Sequence, residues 1–244
     1  MPEGPSIVLA KEAVAQFAGK KVIAVSGNSK IDQDILLNKK VIVFKSWGKH
    51  FLICFSGFTL RVHFLMFGSY TVNEKKPNRA VRLNLTFKNG EINFYTCSIK
   101  YLEGDINNHY DWSADVMNEH WDKKKAKAKL KAIPDTLICD ALLEQDIFSG
   151  VGNIIKNEIL YRVRIHPESL TGKIPAVKLN KLVDETRIYS FQFLEWKRNY
   201  ELKQHWLAHT KKTCVRCNLP LTKKHTGVKK RRSFSCANCQ VLYE

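Results

Sequence analysis

The chain has 244 residues, enough for one large domain or two ordinary ones with real hydrophobic cores. Apolar residues make up 44% and aromatics 11%, which excludes a disordered tail. Against 23 Asp and Glu stand 40 Lys and Arg, and the resulting +17 points to a polyanionic partner, nucleic acid ahead of an acidic lipid surface or a merely basic protein.

The start, Met1-Pro2-Glu3-Gly4-Pro5, has no basic segment leading into an apolar one, and no window reaches the length of a membrane span. A cytoplasmic protein without a signal peptide or membrane partner is therefore expected. Residues 5–18 predict a helix, with Ile7, Ala10, Val14 and Phe17 on one face and Pro5 near its start. From Lys20 to Cys97 the pattern changes to short strands, at 41–44, 50–55 and 58–64. The run from Val81 to Lys88 alternates Leu83, Leu85 and Phe87 inward with Arg82, Asn84 and Thr86 outward. Asn89-Gly90 then supplies a tight turn into 91–96. Short strands joined by turns imply a sandwich or barrel-like first domain. A linker is expected over 104–131, its lysine run from Lys123 to Lys129 reading as a solvated face or a flexible tether near phosphates. Helical spacing follows: Leu137, Ile138, Ala141 and Leu142 on one helix, Ile155, Ile159 and Val163 on a second, and Leu179, Leu182, Val183, Thr186 and Phe193 on a third.

Three groups of residues carry chemistry. Near the C-terminal end, Cys214-x-x-Cys217 and Cys236-x-x-Cys239 are separated by eighteen residues. Paired knuckles of this kind set four thiolates around one Zn²⁺ ion and leave no coordination position open, so the ion is structural. Disulfides or idle thiols are the alternative, and the odd total of seven cysteines argues against a disulfide framework. Between the knuckles lie Lys223, Lys224, Lys229, Lys230, Arg231 and Arg232, a tip basic enough to approach phosphate. His225 is a spare ligand candidate, while Cys54, Cys97 and Cys139 sit in apolar runs as core residues. In the segment from Phe148 to Asn153, Gly150 and Gly152 allow a tight turn, and the helix that follows offers its N-terminal end to an anion such as a DNA phosphate. An ordinary helix–turn–helix corner fits that segment equally well.

The third group is Pro2-Glu3. Removal of Met1 would expose Pro2 as a secondary amine, and a terminal amine has a pKa of about 7.7–8.0 against about 10.4 for lysine. Roughly a tenth of it is therefore free base at neutral pH. Such an amine attacking a sugar C1′ gives an iminium ion, which acidifies the C2′ hydrogens and permits loss of the 3′ phosphate. Glu3 is placed to act as general acid and base.

Pro2-Glu3-Gly4-Pro5, Trp47-Gly48-Lys49, the segment from Phe148 to Asn153 with Glu158, and the cysteine pairs ending in Cys239-Gln240 resemble the formamidopyrimidine-DNA glycosylase and endonuclease VIII family. The likeness runs nearly end to end and leans to the endonuclease VIII branch. It implies an α+β protein: an N-terminal helix plus antiparallel β-sandwich over 1–115, a helix–two-turns–helix domain over 116–205, and a zinc finger over 206–244. The implied activity is bifunctional, a DNA glycosylase and abasic-site lyase of base excision repair, working as a monomer on double-stranded DNA that holds a damaged base or abasic site.

By the same resemblance Pro2 is the Schiff-base nucleophile and Glu3 the proton donor and acceptor. Lys49 contacts phosphates at the lesion and assists β-elimination. Asn153, with Gly150 and Gly152, binds phosphate at a helix start. Arg231, with Arg232 as its rival, holds the flanking phosphates and assists δ-elimination. In the segment His63-Phe64-Leu65-Met66-Phe67-Gly68, Met66 is the candidate wedge that fills the hole left by a flipped base, although three large apolar side chains before a glycine also suit the buried end of a strand. The chain departs from the family pattern at Ser6, where an acidic residue is usual, and at Leu65, where the wedge has a polar member. Only 46 residues separate Pro167 from Cys214, little room for the long capping loop of the 8-oxoguanine branch, so oxidised pyrimidines are the expected substrates. The alternatives are a glycosylase for 8-oxoguanine and formamidopyrimidines, and a zinc protein that binds damaged DNA without chemistry.

Overall fold

Helix α1 (Gly4–Ala13) and a short 3-10 turn at Ala15–Phe17 bury Ile7, Ala10, Val14 and Phe17 together, as their spacing predicts. Pro5 suits the first turn because its fixed φ is helical and the N–H it lacks would have no partner there. This computed structural model describes residues 2–244, which fall into two units that divide after Asp111.

The first unit continues as eight strands: β1 (Val22–Ser26), β2 (Val43–Trp47), β3 (His50–Cys54), β4 (Phe58–His63), β5 (Ser69–Val72), β6 (Leu83–Phe87), β7 (Gly90–Tyr95) and β8 (Ser98–Glu103). They pair antiparallel in two four-stranded sheets, ordered β1-β6-β7-β5 and β2-β3-β4-β8. Phe51, Ile53, Leu60 and Val62 of one sheet meet Leu83, Leu85, Ile92 and Phe94 of the other in a single apolar core that α1 closes. The rings of Phe51 and Phe94 lie 5.7 Å apart across it. The sandwich is therefore as expected, with two corrections of detail. Asn84 alternates away from the apolar core as expected but is buried: its amide donates to Glu91 at 2.8 Å and to Asn93 at 2.9 Å, a polar network that replaces water on that face. The turn between β6 and β7 is Lys88-Asn89, because Gly90 itself pairs with Phe87.

The second unit holds α2 (Lys123–Lys131), α3 (Ile138–Ala141), α4 (Asn153–Val163) and α5 (Ala176–Arg198), and then the hairpin of β9 (Thr222–Thr226) and β10 (Arg231–Ser235). The lysine run is a helix and not a tether. Asp122 caps it by accepting from the N–H groups of Lys124 and Lys125, and Ala126 and Leu130 face the core one turn apart. Helix α3 is shorter than its apolar spacing suggests, one turn ending at Ala141. No helix among the described residues is long and apolar enough to cross a membrane.

Candidate nucleic-acid interface and metal centre

Glu3 occupies the N-cap of α1 in extended conformation, and its carbonyl accepts from Ser6 at 2.8 Å. Its side chain is only 3% exposed, at a helix end whose dipole favours a negative group. Pro2 next to it is half-buried; Met1 lies outside the described residues. Helix α1 packs on β2 and β3, the strands joined by the Gly48-Lys49 turn. Gly48 takes a positive φ of 50° there, and Trp47 anchors the turn through Nε1, which donates to the Asp111 carbonyl at 3.0 Å.

Around Lys49 the structure gathers groups that the sequence reading missed. The rings of His50 and His63 stand 5.6 Å apart, edge to face, and His50 also meets Tyr110 at 5.7 Å. Burial, followed by the charge of Arg61, the neighbouring His63 and the charge of Lys49, pushes His50 down to about 3. His63 is lowered too, first by burial and then by Lys49 and Arg61. Both rings are therefore neutral at pH 7, and the local positive charge belongs to Lys49 and Arg61. The strand register could have hinted at this, since His50 and His63 face each other across β3 and β4.

Of the segment from Phe64 to Phe67, Phe64 enters the core. Leu65, Met66 and Phe67 are 43%, 55% and 73% exposed, so these three are not the buried end of a strand. The protruding turn is closed by the Gly68 N–H donating to the Phe64 carbonyl at 2.7 Å, and any Cβ at Gly68 would collide with that carbonyl.

In the second unit, Gly150 takes φ 99° and Gly152 caps α4. Gln145, which the sequence reading passed over, braces this turn: its Oε1 accepts from the Gly150 N–H and its Nε2 donates to the Val151 carbonyl, each at 3.2 Å. Asn153 begins α4 with its side-chain Oδ1 buried and without a hydrogen-bond partner. Arg231 and Arg232 open β10 and are exposed, on opposite faces by strand alternation.

Helix α4 carries the finger. The fully buried Lys156 donates to the Ser233 hydroxyl at 2.9 Å, and Asn157 donates to the Arg232 carbonyl at 3.1 Å while accepting from Phe234 at 3.0 Å. The buried Glu158 carboxylate accepts three successive backbone N–H groups, from Leu207, Ala208 and His209, at 2.7–2.9 Å. Gln240 bonds back to Cys236 N–H and to the Ile165 carbonyl, both at 2.8 Å.

The four sulfurs of Cys214, Cys217, Cys236 and Cys239 all lie within 4.8 Å of one another. Two of their separations are 3.8 Å and 3.4 Å. A tetrahedral site with metal–sulfur bonds of about 2.3 Å has edges of about 3.8 Å, so the donor set fits a tetrahedral ion such as zinc. Tyr161 supports it from α4, its hydroxyl 3.1 Å from the Cys214 sulfur and its ring stacked 4.0 Å beneath the Arg216 guanidinium. His225 is not part of the group: its Nδ1 lies 2.9 Å from the Lys230 carbonyl. Cys54, Cys97 and Cys139 are buried elsewhere.

Two family models match the chain: the formamidopyrimidine-DNA glycosylase N-terminal domain over residues 1–98 and the formamidopyrimidine-DNA glycosylase H2TH domain over residues 113–188. Among curated relatives, human endonuclease 8-like 2 is 35% identical over 172 residues, covering 65% of this chain and 50% of that protein. Endonuclease 8-like 3 of Xenopus laevis is 26% identical over 236 residues, covering 90% of this chain and 38% of that one. The chain thus spans between about a third and a half of these relatives. Among solved structures, Lactococcus lactis formamidopyrimidine-DNA glycosylase bound to DNA containing an abasic site shares the fold with a TM-score of 0.86 at 20% identity, covering 98% of this chain and 99% of that one. A viral DNA glycosylase does so with a TM-score of 0.84 at 19% identity, covering 98% and 100%.

Proposed function

This chain belongs to the formamidopyrimidine-DNA glycosylase and endonuclease VIII family, and from that premise we propose that it is a bifunctional DNA glycosylase and abasic-site lyase of base excision repair. The observation that carries the reading is Glu3, a carboxylate buried at a helix start and directly following a proline.

With Met1 removed, the Pro2 nitrogen gives its lone pair to C1′ of the damaged nucleotide. The C1′–N bond to the base breaks, its electron pair leaves with the base, and the proton that the Pro2 nitrogen sheds after attack neutralises the departing base. Glu3 donates the proton that the sugar ring oxygen needs as the ring opens, and the product is an iminium ion on Pro2. Loss of a C2′ proton then supplies the electron pair that expels the 3′ phosphate. A second elimination expels the 5′ phosphate, and water releases the sugar fragment from Pro2. Lys49 holds phosphate at the lesion and favours the β step. Asn153 and the α4 start hold phosphate, as does Arg231, which favours the δ step. Met66, flanked by Leu65 and Phe67, fills the gap left by the flipped base. The four cysteines hold one structural zinc ion with no position left open for chemistry.

Oxidised pyrimidines are the preferred substrates. Helix α5 takes up half of the interval from Pro167 to Cys214, which leaves no long loop to cap a purine lesion.

Borohydride trapping on duplexes carrying different lesions tests the proposal. Protein whose terminus mass spectrometry shows to be Pro2 should form a covalent adduct and cut the strand. Protein that retains Met1 should bind but do neither, because its Pro2 nitrogen is a tertiary amide. Processed Glu3→Gln should lose base removal and keep some cleavage at preformed abasic sites. Full lyase activity from protein retaining Met1 would falsify the Pro2 mechanism, and binding without any trapped adduct would leave a damage-recognition protein.

A further inference from the structure

The tip of the β9–β10 hairpin closes on a carboxylate from another part of the chain. Asp140, on the one-turn helix α3, accepts the backbone N–H of Val228 at 2.8 Å and that of Lys229 at 3.2 Å. It is only 3% exposed and lies 88 residues before its first partner. Gly227 completes the fit: it takes φ +67°, and a Cβ there would stand 2.1 Å from the Asp140 Oδ2 atom. Glu144, four residues on and past the end of α3, pairs with the Lys229 ammonium at 2.8 Å. The Lys230 N–H then donates to the Gly227 carbonyl at 3.2 Å, closing the turn immediately before Arg231.

The tip carries Lys229, Lys230, Arg231 and Arg232 in succession, a cluster that repels itself until phosphate arrives. A neutral acceptor beneath it would satisfy the two N–H groups only weakly. A carboxylate makes charge-assisted bonds and offsets part of the repulsion, so the tip is ordered before it meets DNA.

We infer that Asp140 is a positioning residue, which fixes the 227–230 turn and thereby presents the Arg231 guanidinium to a phosphate. The inference rests on the role proposed above for Arg231.

The test uses processed, metal-loaded protein and a duplex containing one abasic site. Asp140→Asn keeps the shape but turns one oxygen into an NH₂ group facing an N–H. Binding should weaken about tenfold, the effect of losing one charge-assisted bond. KM should rise while kcat for β-elimination at saturating DNA stays near wild type, and the share of δ product should fall. Gly227→Ala, which pushes on the contact from the other side, should give the same pattern. Arg231→Ala should lose at least as much binding and δ product as Asp140→Asn, and the double variant should be no worse than Arg231→Ala alone. Additive losses, or an unchanged δ share in Asp140→Asn, overturn the inference. So does loss of the metal or of cooperative unfolding in Asp140→Asn, since that would make the carboxylate a structural prop. An Arg231→Ala protein that binds and cuts like wild type removes the Arg231 role itself, and the inference falls with it.

Discussion

The imidazole of His50 packs against Trp47, His63 and Tyr110, with its Nδ1 buried and unpartnered. A folded pKa of about 3 against an ordinary value of 6.5 means that the unfolded chain binds the extra proton between those limits. Stability is therefore present above pH 6.5 and is lost as the pH falls toward 3. By about pH 4.5 the loss at this one ring is roughly 2–3 kcal/mol. Replacing His50 with Phe should flatten the pH dependence of the first unit's thermal unfolding over this range. Parallel curves for variant and wild type would reject that account. Tyr161 works in the opposite manner, by supplying a proton donor to a sulfur. Tyr161→Phe should speed metal loss to a chromophoric chelator by about 10–100-fold, the usual cost of removing such a support. An unchanged rate would show that the hydroxyl only fills space.

At the scale of elements, α4 is the beam on which the finger stands, and from it Glu158 accepts three backbone N–H groups. Glu158→Gln would leave an amide NH₂ against backbone N–H groups and cost about 2 kcal/mol or more. Amide hydrogen exchange at Leu207–His209 should accelerate in that variant before the helical core opens; protection equal to wild type would count against the beam. Much of this architecture was legible beforehand. The spacing of Ile155, Ile159 and Val163 marks α4, the alternation of Leu83, Leu85 and Phe87 marks β6, and the cysteine spacing marks the metal centre. What stayed hidden depends on distant partners. Asn84 looks like a surface residue until Glu91 and Asn93 are brought beside it. The helix α2 is obscured by its lysines, because only Ala126 and Leu130 record its buried side. Asp140 carries no local signal, since its partners are backbone groups 88 and 89 residues further along, and Gln145 reads as an ordinary polar loop residue although the turn it braces is only five to six residues on.

For the molecule as a whole, charge and metal should make separable contributions to the proposed DNA binding. Six phosphate contacts would give a log–log dependence of affinity on salt with a slope of about −5. A slope near zero on duplex DNA would dismiss the electrostatic role of the +17 surplus. Chelation should abolish duplex binding yet leave the sandwich folded, because the four cysteines and the apolar cluster around them belong to the unit after Asp111, while the sandwich has a core of its own. Loss of both together in a calorimetric scan would contradict that division. The protruding turn at 65–67 has a different consequence, one of chemical durability. Its thioether at Met66 stands in solvent, whereas Met117 is packed against the helical core. Peroxide converts such an exposed methionine to a polar sulfoxide, a poor occupant for the gap in a base stack. Brief oxidant exposure should therefore modify Met66 ahead of Met117, as peptide mass mapping would reveal, and blunt lesion capture before the fold is harmed. The oxidants that create damaged bases would then also wear down the side chain proposed to take their place.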